Sequence, residues 1–230
     1  MSSPLVSVII PALDEATAIS GVLDSFLDLP GFWEVIVADG GSGDGTAALS
    51  ASHPLPARVI TAQRGRASQM NAGAAAASGE VLLFLHADTR LPRGAHRSIM
   101  EAVSDPLVCG GNFAIRFDGD DWFSAALGAW YALQRRLGVY YGDSAIWIRR
   151  PVFDRLHGFA PIPIMEDYDL VRRLQHSGRT CCLPGPVITS SRRWKQSGLV
   201  RTVASWVLIR WLYLAGVSPT RLARLYRRIR

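Results

Sequence analysis

The stretch Val81-Leu82-Leu83-Phe84-Leu85-His86-Ala87-Asp88-Thr89 decides how the rest of the chain is interpreted. Its five consecutive apolar residues are too few for an independent helix and follow Ser78-Gly79-Glu80, so they predict a strand buried on both faces of a parallel sheet. Open α/β sheets place ligand chemistry at the carboxyl ends of their strands. Asp88 could there hold a divalent cation against a diphosphate. The alternative is that Asp88 only caps the helix that follows from Pro92.

Other buried strands alternate with helices around this stretch. Residues 5–10 and 34–38 predict two earlier strands, and the helix between them has one apolar face, formed by Ile19, Val22, Leu23, Phe26 and Leu27. This alternation predicts an α/β fold, with a single Rossmann-like, mainly parallel twisted sheet flanked by helices. The 230 residues, 49% of them apolar, are enough for one large core.

The positive charge of the chain is concentrated at its C-terminal end. Residues 192–230 contain ten Lys and Arg and no Asp or Glu, whereas the remainder contains 15 basic and 19 acidic residues. The sequence pI of 9.7 therefore comes from the tail. This distribution argues against a nucleic-acid-binding domain and indicates a local anionic partner such as lipid head groups.

The same C-terminal residues predict a basic amphipathic helical tail, residues 196–230, after a domain of residues 1–195. A first helix is expected over Leu199 to Val217 and a second from Ser218-Pro219 onward. No run of residues reaches the roughly 18 uninterrupted apolar residues of a membrane span. Trp and Arg together favour an interfacial membrane helix, and packing against a homodimer partner is the competing explanation.

The N-terminus and the cysteines indicate a cytoplasmic protein. Residues 1–4 lack the basic-then-apolar pattern of a signal peptide. Cys109, Cys181 and Cys182 have no CxxC spacing and are expected to be reduced thiols. We therefore expect a cytoplasmic location, with peripheral contact of the tail on the inner face of the cell membrane as an extension of it.

The second predicted strand opens into a glycine-dense turn, Asp39-Gly40-Gly41-Ser42-Gly43-Asp44-Gly45-Thr46. Glycines let backbone approach a ligand closely. The dinucleotide pattern GxGxxG fails because Thr46 takes its last position, and the chain has no GxxxxGK[ST] phosphate loop. Asp39 could accept hydrogen bonds from a base or a ribose, and the alternative is a turn-forming Asp.

Two further features could bind charge. Arg64 and Arg66 precede an alanine-rich helix and could pair with phosphate, or they form an exposed solvated pair. Glu166-Asp167 begin a later helix, where acidic residues suit the helix dipole, so a simple N-terminal cap is the alternative there. Three such carboxylates, at positions 39, 88 and 167, are hard to explain as three independent caps.

Together with their flanks, these carboxylates resemble the family 2 glycosyltransferases of the GT-A fold. The resemblance covers about residues 5–195 and depends on the order and spacing of its motifs. In chain order the motifs are Val8-Ile9-Ile10-Pro11 with Asp14-Glu15, Asp39 to Thr46, Arg66 to Asn71 with Gly73, His86-Ala87-Asp88, and Glu166-Asp167. Within the family, the chain is most similar to a small bacterial subgroup described as transferase 2, rSAM/selenodomain-associated.

The resemblance implies a nucleotide-binding side. Pro11, Glu15 and Asp39 would lie around the nucleobase and ribose, with Asp39 at the position that usually contacts uracil. Asp44 matches a further position of the same motif. Arg66 would approach the diphosphate.

The resemblance also implies a metal ligand and a base. Asp88 matches the aspartate that binds Mn²⁺ or Mg²⁺, and Asp167, next to Glu166, matches the catalytic base. Two positions depart from the family pattern. His86 stands where a first aspartate is usual, although imidazole is itself a competent ligand for manganese. Gly40 replaces the second aspartate of the usual DDGS.

The implied enzyme is a metal-dependent inverting glycosyltransferase that moves a sugar from a nucleotide-sugar, most often a UDP-sugar, to an acceptor hydroxyl that could be lipid-linked. Arg192-Arg193-Trp194 would cover the leaving diphosphate or the acceptor, and the missing QxxRW pattern favours single transfers.

Two other functions compete with this interpretation. A catalytically silent nucleotide-sugar-binding protein or a membrane-associated scaffold would agree with His86, Gly40 and the basic tail, but not with the retention of Asp88 and Glu166-Asp167. A sugar-phosphate nucleotidyltransferase would need a glycine-rich basic loop after the first strand, which residues 11–16 do not provide.

Overall fold

The computed structural model describes residues 5–191 and 199–229, whose strands form one sheet. The strands are β1 (Val6–Ala12), β2 (Trp33–Asp39), β3 (Arg58–Thr61), β4 (Val81–Phe84), β5 (Thr89–Arg90), β6 (Val108–Phe117), β7 (Ile146–Arg149) and β8 (Arg179–Thr189). The helices are α1 (Ala16–Leu27), α2 (Thr46–Ala51), α3 (Arg66–Ala76), α4 (Ala95–Val103), α5 (Trp122–Arg136), α6 (Arg150–Arg155), α7 (Glu166–Ser177), α8 (Leu199–Leu214) and α9 (Pro219–Ile229). A 3₁₀ turn, Gly142–Ser144, precedes β7.

The predicted α/β fold is confirmed. The spatial order of the strands is β3-β2-β1-β4-β7-β6-β8-β5. Strands β3, β2, β1 and β4 are parallel, whereas β7 runs antiparallel to both β4 and β6, and β6 is parallel to β8. The sheet is therefore a parallel half joined to a mixed half.

Strand β4 lies where the sheet changes direction, with parallel β1 on one side and antiparallel β7 on the other. It ends at Phe84, one residue before the end of the apolar run, although the Leu85 N–H still donates to the Ile9 carbonyl at 3.0 Å. The prediction of a strand inside a parallel sheet was therefore correct for one side only. Residues 85–88 leave the sheet at this boundary.

Two apolar layers cover the sheet. Side chains alternate along β1, so that Val8 and Ile10 face α1 and α4, whereas Ile9 faces α3, α6 and α7. Helix α3 lies directly on β1. Their closeness is shown at Gly73, where an added Cβ would come within 2.3 Å of Ile9 Cγ2. This close packing fixes the start of α3, and therefore Arg66, relative to the ends of the strands.

The C-terminal helices α8 and α9 pack on the start of α7. Their apolar cluster is centred on Met165, Tyr168, Ile209 and Leu222. Within the described ranges, no helix combines the length and apolar content that crossing a membrane requires. The predicted segment Arg192-Arg193-Trp194 lies outside the described residues.

Candidate active site

The loops after β1 and β2 are tied together by reciprocal hydrogen bonds. The Gly43 N–H donates to Asp14 Oδ1 at 2.9 Å, and the Asp14 N–H donates to Ser42 Oγ at 3.0 Å. Asp14 itself has φ 53°, in the left-handed region that short polar residues tolerate best. Because each loop holds the other, this edge of the sheet is arranged before any ligand arrives.

Asp39 ends β2 and folds its carboxylate into its own turn. Its Oδ2 accepts from the N–H groups of Gly41 and Ser42, at 2.9 and 3.1 Å, and its Oδ1 accepts from Ser42 Oγ. This is the turn-forming role that the sequence left open. A carboxylate offers about four acceptor positions, so Asp39 can accept one more hydrogen bond. Pro11 lies next to it, paired with Ala38 in the adjoining strand.

Asp44 joins the two loops a second time. Its Oδ2 accepts from the Ala16 N–H and its Oδ1 from the Thr46 N–H, at 2.9 and 3.0 Å. The Glu15 N–H in turn donates to Thr46 Oγ1 at 2.9 Å. The Thr46 hydroxyl also donates to Asp44 Oδ1, and this bond is the strongest of those that lower the pKa of Asp44. Through these contacts, Asp44 connects the loop that carries Asp39 to the loop that carries Glu15.

Gly40 has a physical reason to be glycine. A Cβ at this position would lie 3.0 Å from Gln69 Cδ. Gln69 is buried and cannot move aside, because its Nε2 donates to the carbonyls of Ala12 and Ala38 at 2.6 and 2.9 Å. The departure from the family motif at Gly40 therefore reflects a packing contact between α3 and the two strands.

Arg66 and Glu166 form an ion pair across 100 positions of sequence. Arg66 Nη1 lies 3.4 Å from Glu166 Oε1, with the arginine side chain 39% exposed and the glutamate 5%. Burial raises the pKa of Glu166 most strongly. The positive charge of Arg66 lowers this pKa and the negative charge of Asp167 raises it, and the net shift is upward. Burial disfavours charge on Arg66, but Glu166, Asp167 and Asp143 raise its pKa and keep it a cation. Arg66 is therefore a cation at the start of α3, where an arginine can pair with a phosphate.

Asp167 is held by a backbone group from the 3₁₀ turn. Its Oδ2 accepts from the Gly142 N–H at 2.8 Å and its Oδ1 from the Tyr168 N–H at 2.7 Å. A Cβ on Gly142 would lie 3.2 Å from Asp167 Oδ2 and 2.9 Å from His86 Nε2. The side chains of His86 and Asp167 therefore meet around Gly142, which leaves no room for a side chain between them.

The backbone is strained on both sides of this contact. Among the described residues, four non-glycine residues have positive φ, and two of them are Ala145 (52°), after the 3₁₀ turn, and Met165 (68°), before Glu166. Each such conformation costs on the order of 1–3 kcal/mol and persists where the surrounding structure requires it. Asp14 is a third, in the β1 loop. Three of the four thus border the site, which is where functional strain concentrates.

An aromatic cluster joins the site to the C-terminal helices. The rings of Tyr141 and Tyr168 are stacked with centroids 5.5 Å apart, and Tyr213 of α8 meets Tyr168 edge-on at 6.1 Å. The Arg210 guanidinium lies 5.9 Å from the Tyr168 ring centroid. Burial raises the pKa of Tyr141, so its hydroxyl stays protonated. Sequence periodicity gave no indication that α8 would pack beside the residue following Asp167.

Asp88 lies in the turn between β4 and β5. The turn is fixed by Thr89, whose hydroxyl is 2.9 Å from the Thr189 hydroxyl and whose backbone pairs with β8. Within residues 5–191 and 199–229, no three His, Cys, Asp or Glu side chains are grouped to hold a metal ion. A cation at Asp88 would therefore need further oxygen ligands from a bound diphosphate and water, which is the ligand set that Mg²⁺ and Mn²⁺ accept.

The structure thus arranges the predicted residues in three groups. Pro11, Glu15, Asp39 and Asp44 belong to the interlocked loops, Arg66 and Glu166 form the ion pair, and Asp167 meets His86 at Gly142. Sequence reasoning missed the parts played by Ser42, Gln69 and Tyr168.

This fold, with carboxylates at its strand ends and an acidic pair starting α7, defines a glycosyltransferase of the GT-A class. The family model described as glycosyl transferase family 2 matches residues 7–162. The chain therefore belongs to glycosyl transferase family 2.

The chain is also similar to individual proteins. An uncharacterized protein of Mycobacterium tuberculosis is 30% identical over 124 residues, which cover 52% of this chain and 39% of that relative. The chain thus spans about two fifths of the length of this curated relative.

Among solved structures, the mannosyltransferase PcManGT from Pyrobaculum calidifontis, in complex with GDP-Man and Mn²⁺, has a TM-score of 0.67 and 23% identity, covering 99% of this chain and 69% of its own. Glucosyl-3-phosphoglycerate synthase from M. tuberculosis, in complex with Mn²⁺, UDP and phosphoglyceric acid, has a TM-score of 0.64 and 21% identity, covering 93% of this chain and 79% of its own. S. aureus TarS residues 1–349, in complex with UDP-GlcNAc, have a TM-score of 0.64 and 14% identity, covering 81% of this chain and 58% of that one. At these identities the likeness concerns the fold.

Proposed function

We propose that this protein transfers a sugar from a nucleotide-sugar to an acceptor hydroxyl with inversion at the anomeric carbon. The observation that carries the proposal is the meeting of Asp167 and His86 at Gly142, beside the Arg66–Glu166 pair. A carboxylate and a cation then lie on the side of the sheet where β2 and β4 end, which suits a reaction that moves a proton and separates a diphosphate from a sugar.

The proposed donor is a nucleoside-diphosphate sugar, with a UDP-sugar as the first choice. The remaining acceptor capacity of Asp39 suits an N–H of the base, and the β1 loop with Pro11 and Glu15 would enclose the base and ribose. Arg66 is the phosphate ligand in this proposal. It is partly exposed and already charged, so its other N–H groups can donate to a diphosphate oxygen while Nη1 stays with Glu166.

Asp88 would hold a divalent cation, Mn²⁺ or Mg²⁺, and His86 could add an imidazole nitrogen to it. When bound, such an ion neutralises charge on the leaving diphosphate. The site fits this role because Asp88 is a carboxylate fixed by the Thr89 turn and leaves the other ligand positions to the donor.

Asp167 is the proposed base. Its two oxygens each accept one backbone N–H, which fixes the carboxylate and leaves acceptor capacity toward a substrate hydroxyl. In the reaction, the acceptor oxygen attacks the anomeric carbon, its proton passes to Asp167, and the bond from the sugar to the diphosphate breaks. Glu166 remains paired with Arg66 and keeps the first turn of α7 in place.

We also propose that residues 1–195 form the catalytic domain and residues 196–230 a basic helical extension. The extension would bring a cytoplasmic enzyme to the inner face of the membrane and to a lipid-linked acceptor. The packing of α8 and α9 on Tyr168, next to the proposed base, supports this arrangement. A homodimer formed through these helices is the competing use of the same residues.

The test is isothermal titration of UDP, GDP and their common sugar conjugates, with and without Mn²⁺. We expect one nucleotide to bind in a Mn²⁺-dependent manner, and Asp88→Ala to weaken its binding at least tenfold. Asp28→Ala is the matched control, because Asp28 is an exposed carboxylate at the end of α1. The transferase proposal fails if no nucleotide binds the wild type under any condition.

Turnover separates the enzyme from a silent binding protein. The nucleotide that the titration selects is offered as its sugar conjugate, and its release is followed with Mn²⁺ present. Release that Asp167→Asn abolishes supports catalysis by this carboxylate. Tight binding without any release, with and without candidate acceptors, would favour the silent nucleotide-sugar-binding protein.

A further inference from the structure

Large apolar side chains are exposed mainly on two neighbouring helices. Eight of the twelve large hydrophobic residues that are exposed in the described chain lie on α5, at the residue after it, or on α8. They include the three most exposed tryptophans among the described residues. The eight are Trp122, Trp130, Leu133, Leu137, Val207, Leu208, Trp211 and Leu214.

The two helices lie side by side and run in the same direction. Trp206 of α8 packs on the cluster of Phe117 and Leu127, and one turn later Arg210 Nη1 donates to Gln134 Oε1 at 2.7 Å. The C-terminal ends of both helices therefore come together. We call the exposed apolar residues of these two helices the α5–α8 face.

Charged residues are absent from the centre of this face. The exposed positions of α8 from 204 to 215 are Ala204, Val207, Leu208, Trp211, Leu214 and Ala215. The exposed positions of α5 from 125 to 133 are Ala125, Ala126, Ala129, Trp130, Ala132 and Leu133. A contiguous apolar surface of this extent is unusual for a protein that contacts only water.

Basic residues flank the face along the chain, and we call them its basic rim. Arg136 ends α5 beside Leu137, Arg201 lies on the first turn of α8, and Arg221 and Arg224 are exposed on α9. Residues 192–230 contain no acidic residue that would offset them. Asp120 and Asp121, before Trp122, limit the face at the opposite end of α5.

We propose that the α5–α8 face docks on an anionic lipid bilayer, with both helices lying in the plane of the interface. Exposed Trp and Leu beside Arg are the pattern of an interfacial helix, and basic residues are attracted to anionic head groups. A second copy of the chain would instead bring two basic rims together, and like charges repel. The charge therefore favours the lipid surface over self-association.

This docking places the proposed base close to the membrane. The opposite side of α8 carries Ile209 and Tyr213, which pack on Tyr168 next to Asp167. An acceptor hydroxyl near the head groups could then reach the site without leaving the bilayer. That an acceptor reaches the site from the bilayer rests on the proposed function, with a lipid-linked acceptor. The docking of the α5–α8 face does not depend on turnover.

The experiment is sedimentation of the full chain with vesicles of equal parts phosphatidylglycerol and phosphatidylcholine, without nucleotide. We expect the wild type to bind these vesicles, and to bind phosphatidylcholine vesicles or high-salt samples less. Leu137→Glu and Trp211→Glu replace side chains that are 76% and 65% exposed, so a folding defect is not expected. Each should weaken partitioning of the protein onto the vesicles about tenfold or more, because transfer of one such apolar side chain out of water changes the partition coefficient by at least about tenfold.

Leu107→Glu is the matched control. Leu107 is 63% exposed but lies between α4 and β6, outside the face, so this variant should bind vesicles as the wild type does. Circular dichroism melts verify that all three variants are folded. Asp88→Ala should also bind vesicles normally, so loss of nucleotide binding and loss of docking are separate results.

Three results would overturn the proposal. The wild type could stay in the supernatant with anionic vesicles, or Leu137→Glu and Trp211→Glu could bind as tightly as the wild type. The third is a lipid-free dimer in analytical ultracentrifugation that Trp211→Glu dissociates, without vesicle binding by the wild type. That result would assign the α5–α8 face to a second copy of the chain.

Discussion

Replacing Gly142 by alanine tests whether the placement of His86 and Asp167 around this glycine is part of the catalytic geometry. The added Cβ would lie 2.9 Å from His86 Nε2 and 3.2 Å from Asp167 Oδ2, whereas ordinary contact begins at 3.4 Å. His86 must therefore move by about half an ångström and Asp167 by a few tenths, since packed interiors have no spare room. Gly142 has no left-handed φ, so the backbone itself accepts alanine.

The expected result is a loss of rate with little loss of binding. A displaced base costs roughly 10- to 100-fold in rate, which corresponds to about 1.4 to 2.8 kcal/mol of transition-state stabilisation. The assay is release of nucleotide from the donor that the titration selects, followed at saturating donor. The affinity for the nucleotide should fall less than the rate, because none of the hydrogen bonds that hold Asp39 and Asp44 in their loop involves Gly142.

Gly94→Ala is the control for this variant, because a Cβ at Gly94 meets no atom within 4 Å. It should release nucleotide at the wild-type rate. If folded Gly142→Ala also released nucleotide at the wild-type rate, the reasoning would be refuted. Asp167 would then tolerate displacement, and a positioned base could not be its role.

Two further predictions concern the loops and the ion pair. Ser42→Ala removes the hydroxyl that links Asp14 to Asp39 and should weaken nucleotide binding about fivefold in titration, since one net hydrogen bond is worth about 1 kcal/mol. The control is Ser52→Ala, which should have no effect because the Ser52 hydroxyl makes one weak contact of 3.4 Å. Equal nucleotide affinities of Ser42→Ala and the wild type would contradict the proposed link between the loops. Because burial raises the pKa of Glu166 above its usual value of 4.5, protonation stabilises the folded state below that pH, and this stabilisation is lost as the pH rises through the folded-state pKa. Thermal melts should therefore show the wild type losing stability relative to Glu166→Gln as the pH rises above 4.5, and parallel melting curves would disprove this.

The alternation of buried strands and one-sided helices determined much of the fold. Apolar periodicity is local, so the sequence could indicate β1, β2, β4 and α1, and it could place Asp39 and Asp88 after buried strands. The parallel half of the sheet followed from this. The antiparallel β7 beside β4 did not, because the partner of a strand depends on how the later chain returns to the sheet.

The charge of the tail was also visible in the sequence, but its position was not. Composition identified residues 196–230 as a basic helical segment. Only packing showed that Tyr168 and Ile209 share a cluster, and that α8 lies beside α5. From sequence alone, an aromatic residue at helical spacing, such as Trp130, is equally consistent with a core position and with an interface. The structure shows that Trp130 is exposed.

The sequence by itself determined which residue types stand at the strand ends, because those positions follow from periodicity and turns within short windows. Only the tertiary structure decided which of them meet. Arg66 reaches Glu166 across 100 positions, the Gly142 N–H reaches Asp167 across 25, and Gln69 requires a glycine at position 40. Such pairs depend on the packing of α3 and α7 against the sheet, which no local pattern contains.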